Sequence, residues 1–300
     1  MNFRVQTILL ILVFALQSTV FAQSNEDDDN EELKIAAVEA LMSASPERAL
    51  PIVQKVMAGN HSDEVKERAL FILSQIDAPE AQLILLETAR NAEGDLQHEA
   101  IRMIAISGDE QTLRNLKEIY ASGDSEVKES VLEAYLIAGD TTSVYEIAAT
   151  TQDPEEFEEA VEMLGAMGAL DELRQLRGSA GNSEVLVEAY AIAGDYESLR
   201  AMALDSSDPD IQEEAIQALG IVGGPEVDAT LMEIYRSADS EDVREVALEG
   251  MLISGYDEGV LQLFRESQSS DEKRELLEML VIMDSDAAMQ VIDETLGEGQ

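Results

Sequence analysis

The sequence predicts an all-α protein, an α-solenoid of about nine stacked helical hairpins, on three observations. A helix-stop residue recurs at Ser45, Asp77, Gly108, Gly139, Gly168, Gly194, Gly223, Gly255 and Asp284, at intervals of 26 to 32 residues. A period of about thirty residues marks an array in which each unit buries its face only against its neighbours. Apolar residues stand four apart before every stop, the spacing of one helical face. No stretch alternates apolar and polar residues with period two, so no strand is expected.

Two segments precede the array. Residues 1–22 read as a signal peptide: Arg4 is a positive n-region, Ile8 to Leu16 an apolar core, and Val20-Phe21-Ala22 a small-residue cleavage signal. An uncleaved anchor is the alternative, but a spanning helix needs ~20 apolar residues, and Gln17-Ser18-Thr19 interrupts this run. Residues 23–30 (QSNEDDDN) have no apolar residue and are expected to form an acidic disordered leader. Residues 31–300 are expected to be one solenoid with no separate second domain.

Within each hairpin the first helix is defined by two columns. Eight residues before the stop stand Ala37, Ala69, Ala100, Val131, Ala160, Leu186, Ala215, Ala247 and Leu276; four before it stand Leu41, Leu73, Ile104, Tyr135, Leu164, Tyr190, Leu219, Met251 and Leu280. Small residues in the first column let neighbouring helices approach. Six of the stops are glycine, as a left-handed C-cap requires; the aspartates tolerate that conformation, and Ser45 fits it less well.

The second helix keeps its own stripe at five and eight residues past the stop, as in Leu50/Val53, Leu113/Leu116, Val144/Ile147, Leu173/Leu176, Leu199/Met202, Val260/Leu263 and Met289/Ile292. Hairpins two and seven carry one extra residue, and their stripe is expected to resume at Leu83/Leu86 and Ala229/Met232. Pro46, Pro79 and Pro225 open second helices and Pro154 and Pro209 open first helices, where a missing N–H costs nothing. Pro51 falls inside a helix, within its first turns. The short interval from Gly168 to Gly194 places an irregular, less stable join at Arg177-Gly178-Ser179-Ala180-Gly181, with a shortened second helix before it.

These units resemble the HEAT-repeat family. Ser62-Asp63-Glu64-Val65-Lys66-Glu67-Arg68-Ala69-Leu70 resembles that family's first helix, and Ser45-Pro46-Glu47-Arg48-Ala49-Leu50-Pro51 its turn and second helix, internal proline included. Asp208-Pro209-Asp210-Ile211 through Gly223-Gly224-Pro225-Glu226 is similar to a whole unit. The short period resembles bacterial repeats of the phycobilin-lyase-like type. The resemblance covers residues 31 to 300 and implies a superhelix, a tendency to bind proteins, and a concave surface lined by second helices. It implies no particular activity.

Composition narrows the partners. With 63 acidic against 19 basic residues and a net charge of −44, the surface repels phosphate backbones and favours basic or cationic partners, or simply solvates a long chain. The chain has no cysteine, which fits an exported bacterial protein, periplasmic or secreted, better than an animal extracellular one. Asn60-His61-Ser62 is a chance-level glycosylation sequon.

Little in the sequence carries chemistry. There are two histidines and no tryptophan. His61 reads as a solvated turn residue. His98-Glu99 matters because one enzymatic branch with HEAT-like repeats binds iron through several His-Glu pairs, but one pair cannot assemble that ligand set. Asp205-Ser206-Ser207-Asp208-Pro209-Asp210 and Asp239-Ser240-Glu241-Asp242 could hold calcium but lack the glycine spacing of a calcium loop, and they precede helices that aspartate and serine would cap. No catalytic residue, metal or cofactor is expected.

Positive charge is scarce enough to be informative. Between Lys128 and Arg244 only Arg174, Arg177, Arg200 and Arg236 are basic, all on second helices. Six residues past the stop, hairpins three to six carry Arg114, Tyr145, Arg174 and Arg200. Beside them stands Arg177, and together they form a candidate partner-binding strip. Intrahelical pairs (Glu110–Arg114, Asp171–Arg174, Glu197–Arg200) are the competing account. The expected function is a non-enzymatic, exported protein–protein interaction scaffold or adaptor. An enzyme-accessory or lyase-like protein holding a small ligand in the groove and an acidic structural spacer are the alternatives.

Overall fold

The computed structural model describes residues 26–177, 183–205 and 207–297. Among them every regular element is a helix. The expected signal peptide and the join at 178–182 lie outside the described residues. The helices pair in chain order. They are α1 (Glu26–Glu39, continued by a 3₁₀ turn Ala40–Ser43) with α2 (Pro46–Ala58), and α3 (Asp63–Ser74) with α4 (Pro79–Asn91). Next comes α5 (Asp95–Ser107), paired with α6 (Glu110–Arg114) and α7 (Leu116–Ser122). Then α8 (Ser125–Ala138) pairs with α9 (Thr141–Thr150), α10 (Pro154–Met167) with α11 (Leu170–Leu176), and α12 (Ser183–Ala193) with α13 (Tyr196–Asp205). The last pairs are α14 (Pro209–Val222) with α15 (Pro225–Ser237), α16 (Glu241–Ser254) with α17 (Asp257–Glu266), and α18 (Ser270–Ile282) with α19 (Asp286–Gly297). The chain divides into two compact units at Met103/Ile104, inside α5.

In the first unit, Ala69, Leu73 and Ala100 fill the two columns read from sequence and are fully buried. Hairpin one departs from that reading. Val38 is buried and Ala37 is exposed, because the 3₁₀ turn at Ala40–Ser43 tightens the helix end and shifts its register. Ser45 takes an extended conformation and starts α2 instead of ending α1 in a left-handed turn. α1 itself begins at Glu26, so the expected disordered leader is helical from that residue. A segment without apolar residues can still be helical, and acidic residues suit a helix N-terminus. His61 is also not a solvated turn residue. It is half-buried beside Gly59, where a Cβ would lie 2.8 Å from the ring, and its Nδ1 has no hydrogen-bond partner among the described residues.

In the second unit both first-helix columns are buried in every hairpin from Val131/Tyr135 to Leu276/Leu280. Gly139, Gly168, Gly194 and Gly255 take left-handed φ of 66 to 73° and close the same turn. After α8, for example, Gly139 N–H donates to the Leu136 carbonyl and Asp140 N–H to that of Tyr135. This double bond satisfies two carbonyls that a helix end leaves free. Asp284 adopts the same conformation, φ 52°. Asp77 is not among the left-handed residues.

Where the turn differs, the second helix rotates. Gly223 (φ 63°, ψ 177°) and Gly224 (φ 106°) make a more extended link, and Val227 and Leu231 are buried while Ala229 faces solvent. In the first unit, the extended Ala78 likewise buries Ala81 and Leu85 and exposes Leu83. Ala288 and Val291 replace Met289 in α19. A turn that enters its helix one residue differently turns the apolar face by about 100°. Other irregularities are local. α6 and α7 meet at Asn115, whose amide donates to the Gln111 carbonyl at 2.9 Å, a side chain competing with the helix ladder. α11 has 7 residues where its neighbours α9 and α13 have 10, the shortening read from the 26-residue interval. First helices approach closely: a Cβ on Gly220 would meet the Gly250 carbonyl at 2.7 Å, and one on Gly165 the Ala189 Cα at 3.0 Å.

Candidate interaction surface

The second helices of the second unit present one row of polar side chains, and each member reaches into the next hairpin. Lys117 Nζ lies 2.6 Å from Glu146 Oε2, and Thr141 Oγ1 donates to Glu172 Oε1 at 2.7 Å. Arg174 grips Asp195 with two parallel bonds, Nε to Oδ2 at 2.8 Å and Nη2 to Oδ1 at 2.7 Å. Arg200 reaches Glu233 at 3.0 Å, and beside it the Tyr196 and Thr230 hydroxyls share a 2.7 Å bond. Arg236 reaches Glu266 at 2.8 Å, and Ser285 bonds Asp257. Every step from hairpin three to hairpin nine is bridged.

The Arg174–Asp195 bridge differs from the rest. The Asp195 side chain is 1% exposed, whereas Arg200 and Glu233 are 37% and 54% exposed. Asp195 also accepts from the Ser198 N–H and hydroxyl, so it caps α13 while holding Arg174. Burial alone would raise its carboxyl pKa, but the bonds from Arg174 and Ser198 outweigh burial and hold it below the ordinary range. Planar two-point binding of this kind is what arginine provides and lysine does not.

The five residues of the sequence-derived strip therefore part company. Arg114 makes the expected contact with Glu110, at 3.7 Å and largely in solvent. Arg174 and Arg200 bond across hairpins, not to Asp171 and Glu197 as the intrahelical account expected. A neighbouring hairpin offers each a carboxylate in hydrogen-bonding reach, and in Asp195 a buried one that needs a cation. Tyr145 is half-buried beside the core residue Val144, and exposed Arg177 follows α11. A cleft of about 540 Å³ opens between Arg114 and Lys117 on one hairpin and Asp140 and Glu146 on the next. Its charges largely answer one another: Lys117 pairs with Glu146 and Asp140 caps α9 through Ser143 N–H.

The HEAT-repeat pattern matches residues 55–135 and 195–251. Those two stretches carry HEAT repeats. No curated protein sequence matches it. Among solved structures it is similar to human deoxyhypusine hydroxylase in complex with glycerol, at 16% identity over 77% of this chain and 99% of that one, TM-score 0.33. It is also similar to the CpcE–CpcF complex of phycocyanin lyase from a Nostoc species, at 18% identity over 92% and 97%, TM-score 0.31. A third, an engineered protein, shares 21% identity over 78% and 96%, TM-score 0.21. Likeness at this level says nothing of this chain's activity.

The two acidic loops at 205–210 and 239–242 supply caps. Asp208 accepts from Asp210 N–H and Ser240 from Asp242 N–H, the helix-capping role weighed against calcium. His98 lies on α5, half-buried.

A second row of the array was not singled out from sequence. Two residues before the stop stand Ile106, Ile137, Ile192, Ile221, Ile253 and Ile282, interrupted only by Ala166 in hairpin five. All six isoleucines are exposed, from 43% at Ile106 to 69% at Ile221. One turn earlier on the same face stand Glu133, Glu162, Glu188, Glu249 and Glu278, all exposed. The signal is present in the sequence as one residue type at one register position. An apolar residue beside a core stripe nevertheless reads as core until its exposure is known.

Proposed function

We propose that this chain is a non-enzymatic protein–protein interaction scaffold, exported from the cytoplasm after removal of residues 1–22. The observation that carries the scaffold reading is the unbroken run of bridges between successive second helices, from Lys117–Glu146 to Asp257–Ser285. These bonds tie each hairpin to the next and hold the exposed faces of the second unit in a fixed register. A surface ordered before binding loses less entropy on association. HEAT repeats are frequent carriers of protein interaction, which supports the same reading. On the second-helix row, exposed Arg114, partly exposed Arg200 and half-buried Tyr145, with exposed Arg177 near them, would offer donors to an acidic group of a partner.

The test is capture. The chain beginning at Gln23, immobilised and exposed to its own periplasmic or culture fluid, should retain a stoichiometric protein partner that cross-links to exposed residues of hairpins three to nine. A partner that engages the second-helix face should be lost from the Arg114→Glu/Arg200→Glu variant with its helical signal intact. Recovery of no partner at micromolar chain would end the scaffold reading. Export is read separately by intact mass, which should place the N-terminus of the exported protein at Gln23.

A further inference from the structure

We propose that the exposed isoleucine row and the glutamates beside it form a docking surface for a basic amphipathic helix of a partner protein. This rests on the scaffold reading and names a surface and a partner chemistry for it. The local roles available to these isoleucines do not explain them. In the glycine turns that end the first helices, the bonds run from the residue after the stop to the carbonyl four before it, as in Asp140–Tyr135 and Asp195–Tyr190. The apolar contact that accompanies such a turn uses those same two positions. The isoleucine position is neither of them. Isoleucine is also a poorer helix former than alanine, glutamate or lysine, so an exposed helix position does not call for it. Single exposed apolar side chains need no explanation, but six of one type at one register position are a surface feature.

Successive members of the row stand side by side where α16 meets α14. A Cβ on Gly220 would lie 3.1 Å from the Cβ of Ile253, so the end of α16 lies against the end of α14 and Ile253 sits beside the neighbour of Ile221. Packed helices stand about 8–10 Å apart, and seven residues of a helix rise about 10.5 Å. Apolar side chains at heptad spacing on a docked helix can therefore meet successive isoleucines.

Charge selects the partner. In hairpins four to nine, the outward stripe ending at each isoleucine carries acidic or neutral residues and no cation, as in Glu126-Ser130-Glu133-Ile137 and Asp271-Glu275-Glu278-Ile282. Glu133, Glu162, Glu188 and Glu278 have no ion-pair partner among the described residues. The isoleucines that end the stripe sit in the last turns of the first helices, where the peptide dipoles present negative charge. Burial and neighbouring carboxylates, led by Glu129, Glu184 and Glu245 respectively, raise the pKa of Glu159, Glu214 and Glu275 on the same helices. A second copy of this chain would bring a second acidic face against the first, and the net charge of −44 opposes it. An anionic lipid surface is repelled for the same reason.

The experiment uses the full chain from Gln23 and a labelled synthetic helix with leucines at heptad spacing among lysines. Two controls keep its length: one replaces the leucines by serine, the other the lysines by glutamate. Fluorescence anisotropy at about 0.15 M salt should show binding of the leucine–lysine helix alone. The exposed-row variant Ile192→Ser/Ile221→Ser/Ile253→Ser should weaken it at least ~10-fold, as loss of central apolar contacts does. Equal binding to the leucine-free control, or to the row variant with its helical signal intact, overturns the proposal in favour of nonspecific charge attraction. A wild-type dimer in sedimentation that the row variant abolishes overturns it in favour of a second copy. If the row variant still captures the native partner that the wild-type chain captures, the row falls and the scaffold reading stands. If the wild-type chain captures no partner, the scaffold reading itself fails.

Discussion

Two rows of side chains run along the second unit, and they handle charge in opposite ways. On the second helices the bridging cations and hydroxyls meet acceptors one hairpin away, from Lys117–Glu146 to Arg236–Glu266. At the ends of the first helices, exposed glutamates stand without cations and exposed isoleucines without cover. A chain with 19 basic residues against 63 acidic ones cannot neutralise both faces. On the second helices the cations hold the hairpins together; on the first helices Lys128 ties α8 to α10 through Glu156 near their N-termini, and the C-terminal ends are left uncommitted. A face whose polar groups are satisfied and a face whose groups are not differ in what they lose when mutated. The first loses stability; the second loses a contact with something else.

The largest expected effect tests the committed row at its most buried point. Arg174→Ala leaves the Asp195 carboxylate, 1% exposed, with only the Ser198 donors. Removing one partner of a buried pair costs ~3–5 kcal/mol, and Arg174 is itself 44% exposed. The loss in urea unfolding should therefore fall at the low end, about 3 kcal/mol. Arg200→Ala, removed from a solvent-screened pair, should cost under ~1 kcal/mol. Equal losses for the two would mean that burial does not separate the bridges.

Next in size is the packing that brings the first helices together. Gly220→Ala places a methyl 2.7 Å from the Gly250 carbonyl, a backbone atom that cannot swing aside. Separating α14 from α16 should cost about 2 kcal/mol, within the usual range for overpacking. Because Ile221 and Ile253 flank that contact, the same change should disturb the isoleucine row while the Arg200–Glu233 bridge persists. Nuclear magnetic resonance shifts of isoleucine methyls would show it.

How far these rows could be read without coordinates depends on what sets each one. Helical period alone sets the columns eight and four before the stop, and Ala69/Leu73 through Leu276/Leu280 are buried as read. Turn conformation sets the second-helix face, and spacing does not encode it, so Leu83, Ala229 and Met289 were placed in the core and are exposed. Arg174 and Arg200 each have an acid three residues earlier, which makes a local pair look sufficient. The structural partner lies 21 residues away for one and 33 for the other. The isoleucine row was hidden by the core columns beside it, since hydrophobicity does not reveal which of two adjacent positions is wet.

A smaller effect separates the two rows by pH. Burial and neighbouring glutamates raise the carboxyls of Glu159, Glu214 and Glu275 on the first helices above the ordinary 4.5. These groups hold protons in the folded chain at pH values where the unfolded chain has released them. They therefore add stability as pH falls through the window above 4.5. Asp195 has the opposite sign. Its folded pKa lies below the ordinary 3.8, so its contribution is present above that value and lost as pH falls further. The melting temperature should rise as pH falls toward about 5 and drop below about pH 4. In Arg174→Ala the acid limb of that curve should flatten. A melting temperature that falls steadily from neutral pH would contradict the raised carboxyls on the first-helix face.

The smallest expected effect decides most about the uncommitted row. Ile221 is 69% exposed, and Ile192 is 55% exposed. Replacing either by serine removes apolar surface that already faces water, and serine is about as good a helix former as isoleucine. Surface changes of this kind stay within about 0.5 kcal/mol, so thermal and urea unfolding should not distinguish Ile221→Ser from the parent chain. Ile216 gives the contrast. It lies five residues earlier on the same helix and is fully buried, and Ile216→Ser should cost several kcal/mol, roughly 3–5, by leaving a cavity and a buried hydroxyl. If Ile221→Ser destabilised the chain as Ile216→Ser does, the row would be an outer layer of core, and the contrast between the two faces would collapse. If it costs nothing, a residue the fold can lose without penalty recurs at one position in six hairpins, and its reason lies in what the first-helix ends touch.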